Sequence, residues 1–285
     1  MSEASGVIYD IGYQNYDGPR LGRRNAALAL YTHGLRGVFG LGRPAKSKVL
    51  PWLIVAIMVV PTIVLVAVMS RAELQVERYD FYPFQLQAPL AVFLAAQAPE
   101  LLSRDQRYHV LPLYFSRPIR RSDYALAKLA AMVTAMFALI AVPLLIYYLG
   151  SLATVTHGVG DARHQTAQFA LGLANAAIHA IVLAPLGMAI AAFARRRAFA
   201  TAAVIAVYII TAAISGVLGA LPGNGGRYGQ LLAPFELIDG VRVWALHGKV
   251  MHDLAPSLPV YVAAAVALVV VCVAVLLGRY RRIAA

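Results

Sequence analysis

Twenty consecutive residues without a charge, LPWLIVAIMVVPTIVLVAVM from Leu50 to Met69, limit the possible folds more than any other feature of the chain. At ~1.5 Å of rise per residue, a helix of this length crosses the ~30 Å hydrocarbon core of a bilayer. Comparable runs recur, so six spans are expected: 50–69, 84–102, 124–149, 166–194, 198–221 and 258–278. Sixty per cent of the residues are hydrophobic and only 13% are charged, and the mean hydropathy is +0.69. That composition excludes an ordinary soluble domain. The fold class read from it is all-α: one polytopic transmembrane domain over residues 1–285, without a fixed-period repeat. Pro61 is expected to kink the first span. Trp52 suits an interface, and Pro259 opens the last span in its first turn, where proline is tolerated.

The formal net charge is +12 and the pI about 10.0. In a soluble protein this would suggest nucleic acid, but here the basic residues lie between apolar spans. Nineteen of the 25 Lys and Arg fall in four alternate segments: the N-terminal region, residues 103–128, Arg195–Arg197 and the C-terminal tail. The positive-inside rule therefore puts both termini in the cytoplasm. Nucleic acid is not an expected partner; membrane lipid is. The excess of Arg over Lys and the abundance of Ala suggest a GC-rich bacterial genome, hence a bacterial inner (plasma) membrane. No apolar core of a cleavable signal peptide precedes residue 48, so the first span is expected to direct its own insertion. Cys272 is the one cysteine, so no disulfide can form within the chain.

Residues 1–24 read as a cytoplasmic tail. Over 25–48 an interfacial amphipathic helix is expected, with Leu28, Tyr31, Leu35 and Val38 on one face and Leu30 off the pattern. The second span is the most polar, with Gln85, Gln87, Gln97 and Glu100. A carboxylate costs ~2.5–3.5 kcal/mol at the centre of a membrane helix, so Glu100 belongs at the membrane edge or against protein. Asn175 and His179 are four apart and share a helical face. They are read either as a hydrogen bond between helices or, with Gln85, Gln87 and Gln97, as groups lining a substrate path.

Several motifs fail on their physics. GLGRPAKS (Gly40–Ser47) approaches a phosphate-binding loop, but Ala45 replaces its second glycine and a span, not a soluble helix, follows. His157, Asp161 and His164 share a loop without a recognised metal spacing. Neither H-E-x-x-H nor G-x-S-x-G occurs, so no hydrolase site is expected and the chain is not read as an enzyme. The spans offer no carboxylate pair and no buried Arg or Lys. This disfavours ion coupling and favours an apolar or amphipathic cargo.

The loop over 101–123 concentrates charge. Pro112 and Pro118 bracket LYFSR, so a short helix is expected from Leu101 to Leu111, ending near the first proline and turning Arg104, Asp105 and Arg107 outward. Ser122 or Asp123 would cap the third span. Together with LYFSRPIRRSDYALAK, this loop resembles the cytoplasmic loop of ABC-2 type transporter permeases, with Arg117, Pro118, Tyr124 and Lys128 at the matching places. LLAPFELIDGVRVWALHG is similar to the segment before the last helix of that family, Pro234 and Phe235 matching a common Pro-Phe. The resemblance implies a membrane-spanning subunit paired with a second permease, identical or homologous. Its loop would be a coupling helix touching a separate ATP-binding cassette ATPase through Arg104, Asp105, Arg107, Tyr108 and His109. It implies no cofactor in this chain, with ATP and Mg bound by the ATPase. It also implies short external helices within 222–257 that dip into the outer leaflet. The rival readings are an ion-coupled secondary transporter and a membrane assembly or anchor subunit that does not transport.

Overall fold

The computed structural model describes residues 18, 21–72, 79, 82–108, 110–116, 118–154, 159–194, 196–221, 228–247 and 258–282. Among them the regular elements are helices: α1 Gly22–Val38, α2 Lys46–Ala72, α3 Tyr82–Gln85, α4 Gln87–Arg107, α5 Leu111–Phe115, α6 Arg121–Thr154, α7 Val159–Phe193, α8 Arg197–Gly219, α9 Pro234–Leu246 and α10 Pro259–Arg282. A 3₁₀ turn, Gly229–Leu232, precedes α9. No strand occurs among the described residues.

Among the described residues, five helices are long and apolar enough to cross a membrane: α2, α6, α7, α8 and α10. The chain is therefore a helical, multi-pass membrane protein by its build. The expected second span is not one of the five. Its residues form α3 and α4, separated at Leu86, and α4 continues to Arg107. Gln87, Gln97, Glu100, Asp105 and Arg107 make α4 too polar for lipid on all sides. Protein covers most of it instead. Leu90, Phe93, Leu94, Ala95, Ala98, Leu101 and Leu102 are buried, and α4 packs against α7, α8, α6, α1 and α2. A helix enclosed by other helices needs only an apolar stripe.

Six long helices alternate in direction. Arg43, just before α2, and Arg197, at the start of α8, both pair with Glu100 near the end of α4. Ser103 of α4 donates to the Ala194 carbonyl just past α7 (2.9 Å), and Gln106 donates to the Tyr280 hydroxyl near the end of α10 (3.1 Å). So α2, α6 and α8 begin where α4, α7 and α10 finish. The start of α6 also binds both extremes of the described chain: Asp123 takes Arg23 of α1, and Arg121 donates to the Arg281 carbonyl (3.0 Å). We call this the charged end. At the far end Tyr79 lies 2.6 Å from the Ser151 hydroxyl and donates to Gln165 Oε1 at 2.8 Å.

The sequence misplaced several boundaries. α6 and α7 extend to Thr154 and from Val159, so the loop expected between them is largely helical; His157 lies outside the described residues. The interfacial helix is shorter than 25–48, and its inner face is rotated. Leu30, Gly34, Gly37 and Val38 are buried, Tyr31 and Leu35 flank them, and Leu28 is 59% exposed. Leu30, off the expected pattern, is core. Gly34 explains the close fit against α6, since a Cβ there would meet the Ala131 Cβ at 3.1 Å. The tail over 1–24 lies outside the described residues except for 18 and 21–24.

Candidate functional site

The charged end holds a network built on two carboxylates of α4. Glu100 is clasped by Arg43 on Oε1 and by Arg197 on Oε2 (3.0 Å), which ties the α1–α2 turn and the start of α8 to one side chain. The GLGRPAKS stretch therefore has a structural task. Gly40 (φ 68°) and Gly42 (φ 80°) adopt left-handed backbone that L side chains rarely take, and the turn they make brings Arg43 to Glu100. Asp105 Oδ2 accepts the Tyr124 hydroxyl at 2.6 Å and Lys128 Nζ at 2.8 Å. The Lys128 side chain is only 4% exposed. This corrects the expectation that the spans hold no buried Lys or Arg: Lys128 is buried within the third span, partnered by Asp105.

Asp105 was expected to point outward. It faces inward because α4 is continuous through Arg107, which sets its register from the buried part of the helix. No separate helix covers 101–111. The short helix of this loop is α5, and Pro112 opens it, with its ring in the first turn where no intrahelical donor is lost. Tyr124 fixes α5 in place, its ring centroid 5.6 Å from Tyr114, 6.2 Å from Phe115 and 5.2 Å from Tyr280. Arg121 lies over Phe115 at 5.6 Å. The outer side of the loop stays open: Tyr108 is 64% and Leu113 69% exposed, and Arg107 and Pro118 are exposed too. His109 and Arg117 lie outside the described residues, as does the side chain of Arg104. A cleft of about 650 Å³ separates this loop from α1, lined among others by His33, Arg43, Glu100, Asp105, Tyr108 and Lys128.

Asp123 is the third residue of α6 and not its cap. Its Oδ2 accepts the Arg120 backbone N–H at 3.1 Å, the reach-back half of a capping box, while both its oxygens take Arg23 at 2.6 Å.

The residues expected to line a path are not brought together as one site. Gln85 is exposed and Gln87 half-buried, whereas Gln97 is buried about 15 Å further along α4. Asn175 and His179 are both buried, but their contact is within α7: His179 Nδ1 bonds the Asn175 carbonyl at 2.9 Å. Sequence reasoning missed what lies beside them. In α9 Asp239 and Arg242 form a fully buried ion pair, with Nε and Nη2 both 2.8 Å from Oδ1. Opposite charges three apart in the mostly apolar FELIDGVRVWAL, which also carries Glu236, were the available signal. Asp161 and His164 are exposed in the first turns of α7, and no metal-competent cluster of His, Cys, Asp and Glu occurs among the described residues.

No protein-family model matches the chain, and no curated protein matches it either.

Proposed function

We propose that the chain is the membrane-spanning permease subunit of an ATP-driven transporter of the ABC-2 type, with the ATPase a separate polypeptide. The observation that carries this reading is the construction of the α4–α5–α6 loop. Its inner side is locked by Asp105, Tyr124 and Lys128, while Tyr108 and Leu113 project from its outer side. A part that receives a push from a soluble partner needs both: a rigid attachment to the spans and a free, partly apolar tip ringed by cations. Arg107 is the charged contact in view, with Arg104, His109 and Arg117 its expected companions; Asp105 serves as the anchor of the joint.

Six passes complete the reading. α4 is the sixth, packed among the other helices, with both termini in the cytoplasm of a bacterial cell and α9 dipping from the outer side toward mid-depth. Two such subunits, alike or related, would enclose the path, and export of an apolar or amphipathic cargo suits the apolar spans. Topology reporters on the two termini give the same side if α4 crosses and opposite sides if only the five apolar helices do.

The direct test is isolation of the tagged chain from its native membranes. An ATP-hydrolysing cassette subunit should accompany it. Leu113→Glu should release that subunit and Leu232→Glu, also on an exposed leucine but at the far end, should not. Absence of any nucleotide-binding partner overturns the proposal. Ion-coupled transport is the second reading, favoured by the buried Asp239–Arg242 pair near His179. It predicts transport that survives ATP depletion and stops when the proton gradient is dissipated.

A further inference from the structure

Three helices meet around Phe235. Its ring centroid is 6.4 Å from that of His179 on α7 and 5.4 Å from that of Tyr208 on α8. Phe235, Asp239 and Arg242 recur at i, i+4 and i+7, so they share the face of α9 that packs on α7. His179 lies fourteen residues from the end of α7 and Tyr208 eleven from the start of α8. This meeting point is therefore about 16–21 Å from the charged end, near the mid-depth of a bilayer.

Buried polar groups are ordinarily hydrogen-bonded. Among the described residues, three buried atoms on three of these helices have no hydrogen-bond partner: His179 Nε2, Asp239 Oδ2 and the Tyr208 hydroxyl. The residues are 1%, 1% and 7% exposed. Their chemistry is definite. A carbonyl only accepts, so the bond to Asn175 puts the proton of a neutral ring on His179 Nδ1 and leaves Nε2 a lone pair. A guanidinium and a carboxylate pair best with two parallel bonds to two oxygens. Arg242 instead directs both nitrogens to Oδ1 and leaves Oδ2 as an acceptor. The set is two acceptors and one hydroxyl, on three helices that meet at Phe235. The Asp239–Arg242 pair is neutral in sum, so it offers a charged guest no spare counter-ion against the cost of burying a charge.

We propose that His179, Asp239 and Tyr208 form an interior binding site for a neutral, polyhydroxylated headgroup on an apolar chain. The hydroxyls would donate to Nε2 and Oδ2, and the chain would lie among the apolar residues of α7 and α8. This rests on the transporter reading for its physiological meaning, since it names the class of cargo; the binding itself needs no ATPase.

The test uses the full chain in phospholipid nanodiscs and measures equilibrium binding of three probes by native mass spectrometry: monooleoylglycerol, methyl oleate and oleylamine. Monooleoylglycerol should bind saturably, and the other two at least tenfold more weakly. Tyr208→Phe removes only an unpartnered hydroxyl, so it should leave thermal stability unchanged or raised. It should nonetheless weaken monooleoylglycerol roughly threefold to tenfold, the worth of one neutral hydrogen bond. Asp239→Asn gives the same direction and serves as a second variant if its fold holds. Equal binding of monooleoylglycerol and methyl oleate overturns the site. So does unchanged binding in Tyr208→Phe, which would make the three atoms an internal packing defect. Tighter binding of oleylamine overturns the assignment of a neutral guest. Failure here with a co-purifying ATPase leaves the transporter standing; success without one leaves a lipid-binding membrane protein.

Discussion

The two polar regions of this molecule treat charge in opposite ways. At the charged end each carboxylate of α4 has a cation: Glu100 lies between Arg43 and Arg197, and Asp105 takes Lys128 together with the Tyr124 hydroxyl. At mid-depth the Asp239–Arg242 pair bonds through one carboxylate oxygen, and among the described residues its other oxygen, the His179 Nε2 and the Tyr208 hydroxyl have no hydrogen-bond partner. The first arrangement fastens helices together. The second holds unmet hydrogen-bonding capacity in a place where water is scarce. A protein that carries force at one end and recognises something within it would be organised along these lines.

The sharpest way to break the contrast is to remove a fastening charge. Lys128→Met leaves Asp105 largely buried without its cation and should cost about 3–5 kcal/mol, read as a large fall in unfolding temperature of the purified chain. Adding Asp105→Asn should recover most of it, since a neutral pair replaces a stranded charge. No recovery would mean that Lys128 acts through packing alone.

Next comes the helix that joins the two regions. Gly187 of α7 lies so close to α4 that a Cβ would sit 2.5 Å from Leu94 Cγ. Gly187→Leu should cost about 1–3 kcal/mol by overpacking, and a companion Leu94→Ala should return part of it. Thermal unfolding of the single and double variants in detergent checks this.

Glu100→Gln weakens two cation contacts at once and should cost about 1.5 kcal/mol. Arg197→Ala alone should cost under about 1 kcal/mol, because that arginine is half-exposed. A double-mutant cycle between positions 43 and 100 should show coupling that salt barely alters, since both side chains are some 15% exposed. The smallest effect is expected at Asp123→Ala, about 0.5–1 kcal/mol. Its partner Arg23 is 46% exposed, so added salt should erase much of that loss.

The broad architecture was legible in the sequence because it rests on local pattern. Runs such as Leu50–Met69 need no neighbours to declare themselves, and five of the six became long apolar helices. What failed was the direction in which side chains point. Leu30 reads as a flaw in an amphipathic helix until α6 is packed beside Gly34. Asp105 reads as surface until α4 proves continuous and its register turns that carboxylate toward Tyr124. Pairings such as Arg43 with Glu100, 57 residues apart, have no local signature. Proline was misread for a related reason: Pro112 can end one helix or begin another, and only the continuity of α4 decides. The interior site was half visible, as Asn175 and His179 on α7, while the ion pair that completes it lay in a segment read as external.

The central claim is that energy enters at the tip of the loop between α4 and α6. A photo-crosslinking residue at Leu113, compared with one at Leu232, tests it in native membranes. The expected result is a crosslink from position 113 to an ATP-binding cassette subunit, changing when nucleotide is added, and none from position 232. A crosslink to such a subunit from 232 alone, or none from either position, would contradict the claim.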